Sequence, residues 1–414
     1  MKFKTLGCRL NTFETETIKS ITEKNNSKDL IIVNTCAVTQ SASRNSKKYV
    51  RQLKRKHPTK KMVVTGCDVQ IDPKKYENMN EVDVILGNAE KLNENKWKEI
   101  FIEKEKKQKF HTEQKDMGHL VSNRVPSFTK RSRAYLEIQN GCDHSCTFCI
   151  IPQGRGKSRS TPAHQILEKV KRFIDIGFKE IVLTGVDITA WGKDIGERKN
   201  LGELVELILL ENPTLNRLRL SSLDISEIDE KLIRLFKKEH RLMPHLHLSL
   251  QSGNNMILKR MKRRHSREAS IELCKELKEA RPELTFGADL IVGFPTENEE
   301  MFNDTLSLIS ECDITWLHIF PYSSRKGTPA SRMPQVERET ILQRSQRLRK
   351  SAIERKKIHF SNLVNKRISV LMETEFKGRS EDFAEIKVNK ALEPGEIYHL
   401  MIDSFDSESL MASD

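Results

Sequence analysis

Residues 134–149 read AYLEIQNGCDHSCTFC: a strand-like run over 134–139 that breaks at Gly141 into three cysteines, Cys142, Cys146 and Cys149. The spacing is C-x3-C-x2-C. Three thiolates this close in sequence can wrap three corners of an iron–sulfur cubane and leave the fourth iron free to bind a ligand. Gly141 suits the tight loop that such wrapping needs. If the run over 134–139 opens a barrel, the loop stands at the carboxyl edge, where barrel enzymes hold their chemistry. The competing reading is a zinc knuckle with His144 as fourth ligand. His144 lies between the first two cysteines, where reaching the same metal is sterically awkward.

Downstream of this loop, strand and helix patterns alternate. Strand-like runs fall over 180–184, 217–221, 245–250, 285–292 and 316–321, with helical periodicity over 162–176, 201–210, 227–238, 266–280 and 297–312. Together with 134–139 these strands predict a (β/α) barrel, complete or partial. A long, very basic helix is expected over 337–357. After it the pattern changes to short strand-like runs over 369–373, 384–388, 397–402 and 409–411, broken by Gly, Pro, Asp and Asn. A small all-β barrel domain is expected there.

Upstream, strand-like runs over 2–6, 30–34, 61–65 and 82–86 alternate with helical stretches such as 13–24 and 42–56. This order predicts an open parallel α/β sheet. Each of the first three runs leads into a cysteine: Cys8, Cys36 and Cys67. Loops leaving neighbouring parallel strands, ~4.8 Å apart, can converge, and the carboxyl edge of such a sheet is where ligands bind. Three thiolates would then line one crevice and suit a second iron–sulfur cluster, with Gly7 and Gly66 permitting close backbone approach. The alternatives are three buried core cysteines or a zinc site. The expected boundaries are 1–103 for the sheet domain, 104–127 for a charged linker, 128–358 for the barrel and 359–414 for the β domain.

The chain has 414 residues, with Lys+Arg 72 against Asp+Glu 58, a formal charge of +14. A basic excess of this size suggests a polyanionic partner, most often nucleic acid, although Lys-rich composition alone is a rival explanation. No apolar run approaches the ~20 residues of a membrane span, and the first residues lack an apolar signal core. A cytoplasmic protein without membrane contact is expected. In that reducing compartment the eight cysteines are better explained by metal, catalysis or core packing than by disulfides. Cys274 and Cys312 fall inside helical apolar patterns and read as core.

The motifs resemble a known family. C-x3-C-x2-C with Phe148 before the last cysteine is similar to the radical S-adenosylmethionine signature. TLGCRLNTFETE (5–16), NTCAVT (34–39), TGC (65–67) and GCDHSCTFCIIPQGRGKSRS (141–160) resemble the methylthiotransferases. LTGVDITAWG (183–192), RLSSLD (219–224), LSLQSG (248–253), IVGFP (291–295) and YSSRKGTPA (322–330) continue the likeness over nearly the whole chain. The opening motif and the TGVD segment look most like the branch acting on N6-threonylcarbamoyladenosine in tRNA. The isopentenyladenosine branch and the branch that modifies a ribosomal-protein aspartate differ there. Thr296 departs from the family, which often has Gly after GFP. The last segment resembles the family's TRAM domain in position.

The resemblance implies two 4Fe–4S clusters and S-adenosyl-L-methionine. The cluster on Cys142, Cys146 and Cys149 would generate a 5′-deoxyadenosyl radical, and the cluster on Cys8, Cys36 and Cys67 would deliver a methylated sulfur to carbon 2 of the adenine at tRNA position 37. S-adenosylmethionine contacts carried over are Phe148, Gly185, Val186, Ser222, Gln251 and Ile291. A strand end with no ligand is the plain alternative for each of those on the strands. Implied partners are the tRNA anticodon stem-loop, a low-potential electron donor and an unknown sulfur donor. Methylthiolation of another target (isopentenyladenosine in tRNA or a ribosomal-protein aspartate) and a non-enzymatic RNA-binding metalloprotein are the other readings. The basic groups Lys47, Lys48 and Arg51, Arg155, Lys157 and Arg159, the run 259–264 and the stretch 344–357 are expected at phosphates, or else on solvated faces. The run 259–264 most favours binding, because its five cations would repel one another without a counter-charge.

Overall fold

The computed structural model describes residues 1–23, 29–103, 107–117, 132–196 and 199–413. The last residue of the helix expected over 13–24, and positions 104–106 and 118–127 of the expected linker, lie outside them.

Five parallel strands, β1 (Lys2–Thr5), β2 (Leu30–Thr35), β3 (Lys61–Gly66), β4 (Val84–Leu86) and β5 (Gln108–Phe110), lie side by side in chain order. The apolar run LIIVNT of β2 is buried at every position, as a parallel sheet covered on both faces requires. Ile31, Val33, Met62 and Val64 face α2 (Gln40–Lys56) and α3 (Cys67–Ile71). Leu30, Ile32 and Val63 face α1 (Arg9–Thr22) and α5 (Glu94–Ile102), while Tyr76 of the short α4 (Lys74–Glu77) packs on the opposite face with α2 and α3. Strand order never reverses while helices cover both faces, so crossovers of both hands are present, against the usual right-handed rule. Strand β5 corrects the reading of the charged stretch as helix end and linker. Its backbone pairs with β4, and Lys61 Nζ reaches Gln108 Oε1 at 3.3 Å.

Past this sheet come β6 (Arg133–Glu137), a short pair β7 (Gln139–Asn140) and β8 (Arg159–Ser160), and then β9 (Glu180–Thr184) and β10 (Arg217–Leu220). Strands β11 (His245–Gln251), β12 (Thr285–Val292) and β13 (Ile314–Pro321) follow. β6, β9 and β10 form one parallel sheet and β11 to β13 another. Parallel bridges Leu218–Leu242 and Leu223–Leu248 join them into a six-stranded partial barrel. The intervening helices are α6 (Ile151–Arg155), α7 (Ala163–Asp175), α8 (Leu201–Glu211), α9 (Glu230–Lys238), α10 (Asn255–Met261), α11 (Arg267–Ala280) and α12 (Glu299–Glu311). One apolar core fills the barrel and its helix layer. Cys274 and Cys312 lie in it, as expected, and so does Phe13 from α1 of the preceding sheet.

Helix α13 (Arg338–Ser361) leads to a closed barrel of β14 (Arg367–Thr374), β15 (Lys377–Ser380), β16 (Glu385–Val388), β17 (Ile397–Phe405) and β18 (Leu410–Ser413). Closure removes every exposed edge. This small barrel plugs the amino-terminal mouth of the partial barrel. There Glu180 is fully buried among Arg133 (2.9 Å), Arg219 (3.1 Å) and Arg217 (3.7 Å). Burial alone would raise the Glu180 carboxyl, but Arg219, Arg133 and Arg217 hold it down at about 2. The arginines also reach the plug: Arg133 to Glu373 at 2.6 Å, Arg217 to Ser369 Oγ at 2.6 Å and Arg219 to the Glu381 carbonyl at 3.0 Å. Phe383 sits in their midst, with Arg379 4.7 Å and Arg219 4.9 Å from its ring and His245 stacked at 5.3 Å.

Candidate cluster sites at the carboxyl edge

Because β1, β2 and β3 are neighbours, the residues just beyond them meet. Cys8 follows β1 by three positions, Cys36 directly follows β2, and Cys67 opens α3. Gly7 has φ +96°, and a Cβ there would come within 2.9 Å of Cys36 Sγ. Gly66 has φ +99°, and a Cβ there would strike Asn34 Oδ1 at 2.4 Å. The backbone is thus drawn in tightly around the thiols. Cys8 is exposed, whereas Cys36 and Cys67 are buried, and burial pushes the Cys36 thiol up to about 11. A soft metal centre that binds thiolates directly would overcome that protonation, so the donor set fits such a group.

Beneath the thiols lies a buried polar cluster. Arg155 is only 2% exposed. Its Nε donates to Cys67 Sγ at 3.2 Å, its Nη1 to Glu14 Oε1 at 2.8 Å and its Nη2 to Asn11 Oδ1 at 2.7 Å. Lys91 Nζ reaches Glu14 Oε2 at 2.6 Å. Burial alone would raise the Glu14 carboxyl, but Arg155 and Lys91 hold it down at about 2. This corrects the expectation that Arg155 meets RNA phosphate, since the guanidinium is consumed inside the protein.

The second triad follows the end of β7. Cys142 N donates to the Gly156 carbonyl at 3.1 Å, and Thr147 N to the Met261 carbonyl at 3.1 Å. The loop is therefore stapled at both ends. A Cβ on Gly141 would lie 1.8 Å from the Lys157 carbonyl oxygen, so only glycine fits. Arg263 Nη1 stands 3.9 Å from Cys146 Sγ. Burial raises the Cys142 thiol and pushes Cys149 up to about 11. His144 Nε2 lies 2.7 Å from Asp187 Oδ2 and 3.5 Å from Glu227 Oε2. Hydrogen bonds to those two carboxylates push the imidazole up to about 10. Cys142 shares these surroundings, with one ligand atom each of Cys142, His144 and Asp187 within 4.8 Å of one another.

Three of the six expected S-adenosylmethionine contacts, Phe148, Gln251 and Ile291, line one cavity of about 180 Å³. Gly185, Val186 and Ser222 do not line it. Gly185 packs on Gln139, where a Cβ would sit 2.5 Å from the carbonyl oxygen, and Val186 N donates to Gln139 Oε1 at 3.1 Å. Sequence reasoning missed Val38 and Thr39, which close the cavity from the first sheet, and Asp289 on its wall. The nearest signal was the position of Val38 and Thr39, two and three residues beyond Cys36. His247 and His318 lie 3.0 and 3.1 Å from Asp289 Oδ1 and hold its carboxyl below the usual range despite burial. A larger cleft of about 490 Å³ lies beside it, where α2, α3 and α6 meet residues 324–326; Arg44, Lys75, Arg325 and Lys326 line it.

The basic run 259–264 is also corrected. Arg263 pairs with Asp224 at 3.1 Å, Arg264 with Glu227 at 3.1 Å, and Arg260 donates to Thr296 Oγ1 at 2.8 Å. The repulsion argued from sequence is relieved within the protein. Lys259 and Lys262 stay exposed. In α13, Arg344 likewise pairs with Glu297 at 2.9 Å. Thr296, at the departure from the family pattern, adopts φ +69°, a left-handed conformation that favours glycine.

Two sequence profiles match the chain: the Radical SAM superfamily over residues 136–309, and Uncharacterized protein family UPF0004 over residues 1–87. The threonylcarbamoyladenosine tRNA methylthiotransferase MtaB of Rickettsia prowazekii is 45% identical over 394 residues, 95% of this chain and 92% of that protein. The MtaB of Aquifex aeolicus is 36% identical, covering 97% of this chain and 99% of that protein. Among solved structures, the radical S-adenosylmethionine methyltransferase TsrM from Kitasatospora setae superposes with a TM-score of 0.54 at 12% identity, covering 80% of this chain and 75% of that one. That likeness bears on fold alone.

Proposed function

Because the chain belongs to the MtaB family of radical S-adenosylmethionine methylthiotransferases, we propose that it transfers a methylthio group to carbon 2 of N6-threonylcarbamoyladenosine at position 37 of tRNA. The observation that carries this reading is the match over 95% of the chain, together with the two profiles that span both thiol triads. When bound, a 4Fe–4S cluster with S-adenosylmethionine supplies the radical that opens a C–H bond, and a second 4Fe–4S cluster supplies sulfur.

Cys142, Cys146 and Cys149 would hold the first cluster, and Cys8, Cys36 and Cys67 the second. Phe148, Gln251 and Ile291 would contact S-adenosylmethionine in their shared cavity. Gly185, Val186 and Ser222 are assigned to it by resemblance alone. Val38 and Thr39 would shield that cavity from water on the side of the first triad. The cleft with Arg44, Lys75, Arg325 and Lys326 suits a phosphodiester backbone by charge, and we assign it to the anticodon stem-loop. Domain boundaries at 128–358 and 359–414 are part of the same reading, with the first domain carried past the expected 1–103 to include β5. So are an external low-potential electron donor, an external sulfur donor and a cytoplasmic location. Among the described residues no helix is long and apolar enough to cross a membrane.

The test is anaerobic incubation of the reconstituted protein with S-adenosylmethionine, a strong reductant and tRNA carrying threonylcarbamoyladenosine, followed by mass spectrometry of the nucleosides. The 2-methylthio derivative is expected. Modification of tRNA carrying isopentenyladenosine, with threonylcarbamoyladenosine untouched, overturns the reading.

A further inference from the structure

We propose that Arg155 is a positioning residue for the first thiol triad: it holds the Cys67 sulfur through an N–H···S hydrogen bond and places its positive charge beside the cluster, so that it sets the ease with which that cluster is reduced. The proposal rests on the reading that Cys8, Cys36 and Cys67 hold a cluster. Arginine offers five donors in a rigid plane. Here Nη1 is taken by Glu14 (2.8 Å) and Asn140 (3.0 Å), and Nη2 by Asn11 (2.7 Å) and Glu14 (3.3 Å). These four contacts fix the plane and leave Nε, with its single hydrogen, aimed at Cys67 Sγ at 3.2 Å. Lysine has no such fork and could not hold both Glu14 and the sulfur in fixed geometry.

Arg155 and Lys91 are two buried cations, and Glu14 is the one carboxylate paired with both. Glu137 joins through Asn140 at 3.3 Å, and burial together with the charge of Glu14 pushes it toward its neutral form. Asp68, the buried carboxylate next to Cys67, is taken up by Ser43 and Tyr76, so the charged group in contact with a thiol of the triad is the Arg155 guanidinium. Hydrogen bonds to the ligating sulfurs and local charge both shift cluster potentials. A cation and an N–H donor favour the more negative, reduced state. The placement also has a covalent logic. Arg155 follows Cys149 by six positions, so the segment that supplies the last ligand of one triad supplies the sulfur contact of the other.

The test uses the full chain with Cys142, Cys146 and Cys149 replaced by alanine, reconstituted anaerobically, so that only the first triad can carry a cluster. Its midpoint is read by redox titration with spectroscopic detection. Arg155→Gln is expected to make reduction at least tenfold less favourable, about 59 mV for one electron. Glu14→Gln removes the compensating anion and is expected to move the midpoint the opposite way. Arg155→Lys should fall between wild type and Arg155→Gln. A purely structural ion pair predicts lost stability in both E14Q and R155Q without opposite shifts. Cluster content retained with an unchanged midpoint, or shifts of the same sign, overturns the proposal alone. If R155Q does not assemble, the rise in E14Q decides, and its absence overturns the proposal. A triad that takes up no iron at all in the wild-type sequence context overturns the two-cluster reading, and this proposal with it.

Discussion

Two ends of the molecule each bury a glutamate among arginine or lysine side chains, and they use the charge differently. At the amino-terminal mouth of the partial barrel, Glu180 collects Arg133, Arg217 and Arg219, and these arginines also reach Glu373, Ser369, the Glu381 carbonyl and the Phe383 ring, although Arg133 Nη2 and Arg219 Nη1 have no hydrogen-bond partner among the described residues. Every cation there is turned onto another part of the chain. At the carboxyl edge, Glu14 collects Arg155 and Lys91, and one guanidinium N–H is turned onto a thiol. The first arrangement locks a domain in place. The second leaves a charged N–H donor facing a site. Conservation of one barrel end for stability and the other for chemistry is the usual division in this architecture. Here it is written in where the spare donors point.

The sharpest way to break this contrast is to remove the thiols. Cys67→Ala or Cys146→Ala should lower the iron of the reconstituted protein from about eight to about four atoms and abolish the 2-methylthio product, whereas Arg217→Ala should leave iron content intact; metal analysis decides. Next in size is Glu180→Ala, which strands three buried arginines and should destabilise by about 3–5 kcal/mol, read from chemical unfolding. The pH dependence has a definite sign. The Glu180 and Glu14 carboxyls sit near 2 in the folded state, below their ordinary 4.5. Their contribution is fully present above about 4.5 and is lost as pH falls toward 2. Glu180→Gln should flatten the loss of stability through that window. The smallest effect belongs to cations with no internal task. Lys48→Ala, on the exposed face of α2, should leave stability unchanged and reduce the slope of log affinity for tRNA against log salt by about one.

The strands were legible wherever burial on two faces demanded a near-continuous apolar run, as in β2, β9 and β12. β5 and β15 were not. Their sequences, QKF and KGRS, carry no apolar pattern, and they form because neighbouring edges need a backbone partner. The first triad was readable because each of its thiols follows a strand end, and the second because its three thiols share one short loop. The fate of the arginines was not. Glu14 and Asn11 stand 141 and 144 residues before Arg155, and local sequence shows a charge without showing what will neutralise it. The same blindness made the run 259–264 look like an uncompensated patch, when Asp224 and Glu227 were waiting on the preceding strand-to-helix connection. The cavity beside the second triad was half-read for a related reason: Val38 and Thr39 reach it from another sheet.

Phe13 ties these halves together in time as well as in space. It belongs to the first helix made, yet its ring is packed in the core of a barrel whose last strand begins at Ile314. On the ribosome that side chain waits for more than a hundred further residues before β6, the barrel strand its helix packs against, is made, so docking of the first sheet onto the barrel is a long-range event of the kind that slows folding. A fragment that begins after the first sheet would be born with a vacancy the size of a phenyl ring.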